Sequence, residues 1–117
     1  MQLTKAYAFI DRLCSKTLEG KISWEKTSNE GVLQATIGGY IVRFWPSGQD
    51  GQEKYLVGLR NSRGEVLETI SDEDLDDPGT ASHVGSMYKR IGSAYQQARR
   101  AALGVDKALD ELLDELS

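Results

Sequence analysis

Few residues of this 117-residue chain could act as a nucleophile or a base. The sequence has one cysteine, Cys14, and one histidine, His83, and no recognisable motif such as a nucleophile elbow forms around the histidine. Cys14 falls on the apolar side of a predicted helix, where a free cysteine is commonly a buried structural thiol. None of the glycines falls in the spacing of a phosphate-binding loop. These patterns favour a non-catalytic protein over an enzyme and predict no cofactor.

The most acidic segment, Ser71–Gly79, resembles a calcium-binding loop only at first sight. An EF-hand loop counted from Asp72 needs glycine at its sixth position and glutamate at its twelfth, whereas the sequence has Asp77 and His83 there. A single cysteine far from a single histidine does not supply the clustered ligands of a zinc site. The sequence therefore predicts a solvated linker at Ser71–Gly79 and no metal site.

Aromatic, aliphatic and cationic side chains alternate along the predicted strands and give a candidate binding surface. Ile41, Arg43 and Trp45 would share the sheet face opposite the core. An apolar patch edged by arginine and tryptophan has the composition of an interface core. We predict a ligand or partner surface that includes Trp24, Ile41, Arg43, Trp45, Leu56, Arg60 and Leu67.

Trp24 has two interpretations at this point. It could stack on a ligand, or it could be a hydrophobic plug that joins the first helix to the sheet, since aromatic burial dominates core energetics. The plug is the favoured interpretation.

The dipeptide Gly38-Gly39 determines the register of the sheet that carries this surface. Two glycines can supply the positive φ of a tight hairpin, and they separate the β-rich runs Val32–Ile37 and Tyr40–Trp45. Period-2 alternation from this turn predicts the core face, which comprises Leu33, Ala35, Ile37, Tyr40, Val42 and Phe44.

Two further connections complete a predicted four-stranded antiparallel β-meander. The polar segment Pro46–Glu53 is expected to be a loop that precedes a third strand at Lys54–Arg60. A turn at Asn61–Gly64, with its glycine in the left-handed conformation, would pair Leu59 with Val66 on the core face.

Apolar residues spaced by three and four predict an N-terminal helix at residues 3–19 and a second helix at 82–103, both packed on the core face. Gly20 and Gly104 are expected to end these helices. Between the first helix and the sheet, Ile22–Lys26 has the alternation of a short strand or an extended arm.

The last segment, residues 106–116, is predicted to be a short acidic amphipathic helix with Asp106 as its N-cap. Such a helix is too short to be stable alone, so it must dock on this domain or on another molecule. The pattern as a whole indicates an α+β fold with an N-terminal helix, a meander and two C-terminal helices.

Composition limits the remaining choices. The length suits a single domain spanning residues 1–117, and a net charge of −4 argues against a nucleic-acid partner. One cysteine forms no internal disulfide, and no apolar run approaches the roughly 20 residues that span a bilayer. We expect a cytoplasmic protein without membrane association.

Two segments carry a resemblance to known proteins. Gly20-Lys-Ile-Ser-Trp-Glu-Lys-Thr27 and Ala98–Leu116, arranged around a small meander, resemble segments of short uncharacterised bacterial and phage proteins. In those proteins an N-terminal helix, a sheet and an alanine- and arginine-rich C-terminal helix follow one another. The resemblance covers most of the chain and implies a bacterial or phage origin, but it brings no activity and no site residue.

Two functional classes follow from these patterns. The first is a non-catalytic module for protein–protein interaction or regulation, whose partner is another protein or a second copy of itself. The second is a nucleotide- or metabolite-binding protein, or a small enzyme, with a pocket near Trp24, Trp45, Arg43 and Tyr88.

Self-association is the specific form of the first class that we expect. The C-terminal helix could cover the outer sheet face in a monomer, or exchange with a second copy in a twofold homodimer. In the homodimer, its acidic residues would lie near Arg43 and Arg60 of the partner.

Overall fold

The computed structural model describes residues 3–49, 52–71 and 81–117. The predicted linker Ser71–Gly79 lies, beyond Ser71, outside the described residues. The elements in chain order are α1 (Leu3–Leu18), β1 (Glu25–Lys26), β2 (Leu33–Ile37), β3 (Tyr40–Gln49), β4 (Gln52–Arg60), β5 (Val66–Ser71), α2 (Ala81–Leu103) and α3 (Val105–Leu116).

The strands form one antiparallel sheet in the order β1-β2-β3-β4-β5, which confirms the α+β class and the meander. The sheet has five strands rather than four, because the arm at Ile22–Lys26 contributes the short strand β1. Glu25 pairs with Gln34 and Lys26 with Leu33. This arm therefore closes the edge of the sheet beside β2.

The Gly38-Gly39 turn forms as predicted. Both glycines have positive φ, +57° and +83°, and the turn sets Ile37 opposite Tyr40 and Ala35 opposite Val42. The predicted core face follows from this register. Leu33, Ala35, Val42 and Phe44 are buried, whereas Ile37 and Tyr40 at the turn are exposed.

The prediction of a loop at Pro46–Glu53 is wrong for most of that segment. β3 continues to Gln49 and β4 begins at Gln52, and Pro46 lies opposite Tyr55. Beyond Phe44 the strand has lost its β2 neighbour, so the missing N–H of Pro46 interrupts no ladder on that side. Polar composition did not prevent pairing, because hairpin strands are held by backbone hydrogen bonds.

The second hairpin also differs from the prediction in register. Gly64 is left-handed, with φ +85°, and Asn61 Oδ1 accepts hydrogen bonds from the backbone N–H groups of Arg63 and Glu65, both at 3.0 Å. A bulge between Leu59 and Arg60, however, pairs Leu59 with Glu68 rather than with Val66. Val66 is consequently 59% exposed.

α1 ends where Gly20 was expected to stop it. Gly20 has φ +75°, its N–H donates to Thr17 O, and the N–H of Lys21 donates to Lys16 O. These two bonds form a Schellman motif, which satisfies carbonyls that the end of the helix leaves free. The chain is thereby turned toward the sheet.

α2 is fastened to α1 and to the sheet by small residues and polar contacts. Ala94 and Ala98 are fully buried. A Cβ added at Gly92 would lie 3.3 Å from Tyr55 Oη, so a larger residue would require the Tyr55 ring to shift by a few tenths of an ångström. Arg90 donates to Asp11 O at 3.3 Å and to the Ser15 hydroxyl, which joins α2 to one flank of α1.

The core is an aromatic cluster centred on Phe44. The ring centroids of Trp24, Tyr95 and Tyr55 lie 5.7, 5.2 and 6.4 Å from that of Phe44. The cluster joins the β1 arm, the sheet and α2 on one face of the sheet. The described helices α1 and α2 leave the other face uncovered.

α3 begins one residue earlier than expected, at Val105, after Gly104 in the left-handed conformation with φ +68°. Gly104, not Asp106, holds the N-cap position, so the predicted cap is wrong. The Asp106 carboxylate instead lies 3.5 Å from Arg100 Nη2 at the end of α2. Gly104 therefore acts as the joint between the two helices.

We expect Val42→Asp to unfold the domain. Val42 is 2% exposed, and a carboxylate at this position would be buried without a partner, at a cost comparable with the about 5–15 kcal/mol stability of a domain. Thr36→Asp, on the neighbouring strand and exposed, is the matched control. Circular dichroism with urea unfolding measures both variants, and an equally small effect of the two changes would contradict the assignment of the core face.

Candidate functional site

The structure brings most of the predicted surface together. Trp45 pairs with Leu56, Arg43 with Gly58, and Ile41 with Arg60, so their side chains share the uncovered face of the sheet. All five of the predicted site residues in these pairs are partly exposed. We call this set, comprising Ile41, Arg43, Trp45, Leu56 and Arg60, the sheet-face patch.

The Trp45 indole lies across β4 above Gly58. A Cβ added at Gly58 would lie 3.1 and 3.2 Å from two carbons of the Trp45 ring. The glycine thus provides the space in which the ring rests against the backbone of the sheet. Trp45 is held there as part of the outer face of the sheet.

The two arginines of the sheet-face patch are bonded within their own chain. Arg43 Nε donates to Gln34 Oε1 at 3.0 Å, and Arg60 Nη1 donates to Gly64 O at 3.2 Å. These bonds orient both guanidinium groups. Each bond uses one of the five N–H donors of its guanidinium, so both groups keep donors for an anionic partner.

Trp24 and Leu67 lie apart from the sheet-face patch. Trp24 is 4% exposed on the core side, where its Nε1 donates to Thr17 Oγ1 at 3.1 Å. Leu67 lies at the β4–β5 bulge and is 53% exposed. Tyr88 also lies on the core side, with its ring 5.8 Å from that of Tyr55. The structure therefore does not bring Trp24 and Tyr88 together with Trp45 and Arg43 in one pocket.

A groove of about 850 Å³ that the sequence patterns did not indicate lies between α1 and the β2–β3 hairpin. Its apolar lining includes Phe9, Leu13, Ile22 and Ile37, of which Leu13 belongs to the core and Phe9 and Ile22 pack against it. We call it the α1 groove. Its complete lining is Lys5, Ala8, Phe9, Arg12, Leu13, Lys16, Lys21, Ile22, Ser23, Thr36, Ile37 and Gly38.

The α1 groove is cationic. Lys5, Arg12, Lys16 and Lys21 line it, and none of its lining residues is acidic. Glu19 lies nearby, 3.8 Å from Lys16 Nζ and 3.6 Å from Lys21 Nζ, but all three side chains are at least half exposed. Such solvent-exposed ion pairs are weak. The groove therefore keeps a positive rim around an apolar floor.

One local signal could have indicated this groove. Lys5, Arg12 and Lys16 are spaced by seven and four, which places them on one side of a helix beside the edge of its apolar stripe. The groove needs in addition Lys21 and the β2–β3 hairpin. Only the tertiary structure brings these segments together.

α3 presents the most apolar exposed surface of the described C-terminal region. None of its residues is buried, and Leu109, Leu112, Leu113 and Leu116 are exposed by 47, 55, 64 and 82%. Of the two alternatives that the sequence left open, the one in which the tail covers the sheet face of its own domain is therefore not observed. We call these four side chains the leucine stripe.

The chain carries its net charge in this helix. Residues 105–117 include five acidic residues and one lysine, so they account for the whole net charge of −4. The molecule is elongated, with extents of 54 × 36 × 28 Å. Its radius of gyration, 15.5 Å, exceeds the about 13 Å of a compact domain of this length. α3 is thus an acidic, leucine-rich projection.

Reactive groups are scarce in the described part of the chain. Cys14 is 1% exposed, and burial raises the pKa of its thiol to about 11, only partly offset by the charge of Arg90. Among residues 3–49, 52–71 and 81–117, no group of His, Cys, Asp and Glu side chains is arranged to hold a metal ion. The side chain of His83 lies outside the described ones.

No protein-family model, curated protein or solved structure matches this chain. Within the described ranges, no helix combines the length and apolarity needed to cross a bilayer. Two described surfaces combine exposed apolar side chains with charge of one sign: the cationic α1 groove and the acidic helix α3.

We expect the burial of Cys14 to make the domain less stable at alkaline pH. The thiol pKa is raised in the folded state, so its contribution is fully present below the unfolded pKa of about 8.5 and is lost as the pH rises toward about 11. The loss should reach about 3 kcal/mol at most, and the raised pKa of the buried Tyr95 acts in the same direction.

Urea unfolding of the wild-type protein and of Cys14→Ala between pH 8 and pH 11 measures this effect. The alanine variant should lose less stability over this range, since it lacks the buried thiol whose pKa is raised. Equal pH dependence of the two proteins, or rapid reaction of the native thiol with a thiol reagent at pH 8, would show that Cys14 is accessible.

Proposed function

We propose that this protein is a non-catalytic protein–protein interaction module and that α3 is its binding element. The observation that carries the proposal is the exposure of the leucine stripe on a helix that buries none of its residues. A 12-residue helix is marginal in water, and amphipathic helices gain most of their stability from packing of the apolar side. The stripe therefore favours a partner.

The partner's chemistry follows from the sides of the helix. Asp110 and Asp114 flank the leucine stripe on one side and Glu111 and Glu115 on the other, given 100° per residue. A complementary surface is an apolar groove edged by lysine or arginine, and helix-in-groove binding is a common mode of recognition. We propose a protein partner that has such a groove, including a second copy of this chain.

The sheet-face patch is proposed as a secondary contact area. Tryptophan and arginine are enriched in interface cores. The patch has two cations, Arg43 and Arg60, which Gln34 and Gly64 hold in fixed orientations. Its role would be to extend an interface that α3 initiates.

A second candidate function uses the α1 groove to bind a small amphipathic anion. The volume of about 850 Å³, the apolar floor and the four cations suit a ligand with an apolar body and a carboxylate or phosphate group. Decanoate is a simple probe, and a rise in melting temperature that Arg12→Glu/Lys16→Glu abolishes would favour this function.

The location that we propose is the cytoplasm, whose reducing conditions suit the free thiol of Cys14.

Replacing the leucine stripe with glutamine tests the proposed role of α3. Leu109→Gln/Leu112→Gln/Leu113→Gln/Leu116→Gln keeps residues of similar helix propensity and removes the apolar stripe. In dilute solution we expect the melting temperature to change by no more than about 2 °C, because these side chains are largely exposed and none belongs to the core of the domain. Leu13→Gln, at a core position, should by contrast lower it strongly.

The same variants should separate stability from association. The quadruple variant is expected to lose any concentration-dependent association that sedimentation velocity detects in the wild-type chain. If it melts many degrees lower as a dilute monomer, the leucines belong to the core of this domain and α3 is not an interaction element.

A further inference from the structure

The α1 groove and α3 are complementary in charge. The groove is lined by Lys5, Arg12, Lys16 and Lys21 and by no acidic residue, whereas α3 carries five acidic residues and one lysine. Complementary potentials favour encounter and fix the orientation of a complex. Both surfaces occur in one chain, so two copies of the protein present matching pairs.

The two surfaces also match in length. Along α1 the lining runs from Lys5 to Lys16, 12 residues or about 18 Å of helix, and the 12 residues of α3 also extend about 18 Å. The floor of Phe9, Leu13 and Ile22 offers apolar contact along this line. A helix laid in the groove would bring its leucine stripe onto the floor and its acidic residues toward the cations of the α1 wall.

Within one protomer the groove is not occupied by α3. α2 packs on the flank of α1 that carries Asp11 and Ser15, where Arg90 bonds to both residues. The groove lies on the flank of Phe9, Arg12 and Lys16, about 110° around the helix from that contact at 100° per residue. α3 follows α2 after the single joint Gly104, and its leucines are exposed there.

Two other pairings between copies are less favourable. Packing α3 against α3 would bury leucines but would bring two helices of like net charge together, which opposes association. Docking on the sheet-face patch would place the acidic residues near two cations, Arg43 and Arg60, each of which already donates one hydrogen bond within the chain. The α1 groove has four cations, of which Lys16 and Lys21 form only weak, exposed ion pairs with Glu19.

We propose that α3 of one protomer docks in the α1 groove of a second copy with its leucine stripe against the apolar floor, and that reciprocal docking closes a twofold dimer. This inference rests on the proposed role of α3 as a binding element and names its partner. It replaces the sheet face, the acceptor expected from the sequence, with a groove formed by α1 and the β2–β3 hairpin. Closed twofold dimers are the commonest oligomers, and each would contain two identical helix–groove contacts.

A charge-swap experiment on the full chain tests the pairing. The charge of the groove is reversed at exposed positions by Lys5→Glu/Arg12→Glu/Lys16→Glu. The charge of α3 is reversed by Asp110→Lys/Glu111→Lys/Asp114→Lys/Glu115→Lys. Each set alone should weaken dimerisation by about tenfold or more in sedimentation equilibrium, and the two sets combined in one chain should restore it. Lys26→Glu/Arg63→Glu/Lys89→Glu, which changes the charge equally at exposed positions elsewhere, should leave the dimer intact.

The outcomes distinguish this inference from the proposed function. A full-length protein that stays monomeric at high concentration overturns the inference, while unchanged stability of the leucine-stripe variant would still support α3 as a binding element for another protein. A dimer that survives groove reversal but is lost in Arg43→Glu overturns it in favour of the sheet-face patch. Loss of dimerisation in both single sets without its restoration in the combined chain also overturns the inference, because the two surfaces then do not contact each other.

Discussion

The packing of Trp24, Tyr55 and Tyr95 around Phe44 is the interaction on which the rest of the structure depends. These rings come from the β1 arm, from β4 and from α2, so one contact cluster joins the arm and the second helix to the sheet. The cluster lies on one face of the sheet, and α1 and α2 suffice to cover it. The leucines of α3 lie outside this core, and the flank of α1 beside the β2–β3 hairpin is left as an open groove.

Local sequence predicted the parts of the fold that local chemistry determines. Gly38-Gly39 required a tight turn, which set the register of β2 and β3, and Gly20 ended α1 through a Schellman motif. The paired strands at Pro46–Gln49 could not be predicted, because this polar segment has no apolar alternation that would indicate a strand. The bulge at Leu59/Arg60, which shifts the register of β5, could not be predicted either, because a single added residue has no signature in composition.

The candidate site was likewise predictable only where local sequence determines it. Alternation along β3 and β4 correctly grouped Ile41, Arg43 and Trp45 on one face, because strand periodicity is a local property. Trp24 could not be assigned to a face in advance, since its arm has only a two-residue strand. The α1 groove joins a helix, the turn at Lys21 and a hairpin tip, and only tertiary packing defines such a surface.

The distribution of charge connects the fold with its proposed use. Residues outside 105–117 carry equal numbers of basic and acidic side chains, so the net charge of −4 resides in the projecting helix.

Hydrogen exchange of the α3 amides as a function of protein concentration tests most directly whether α3 docks on a second copy. We predict rapid exchange in dilute solution and protection of α3 in concentrated solution, because the helix is stable only when docked on a second copy. Protection that is independent of concentration, or rapid exchange at every concentration, would contradict it.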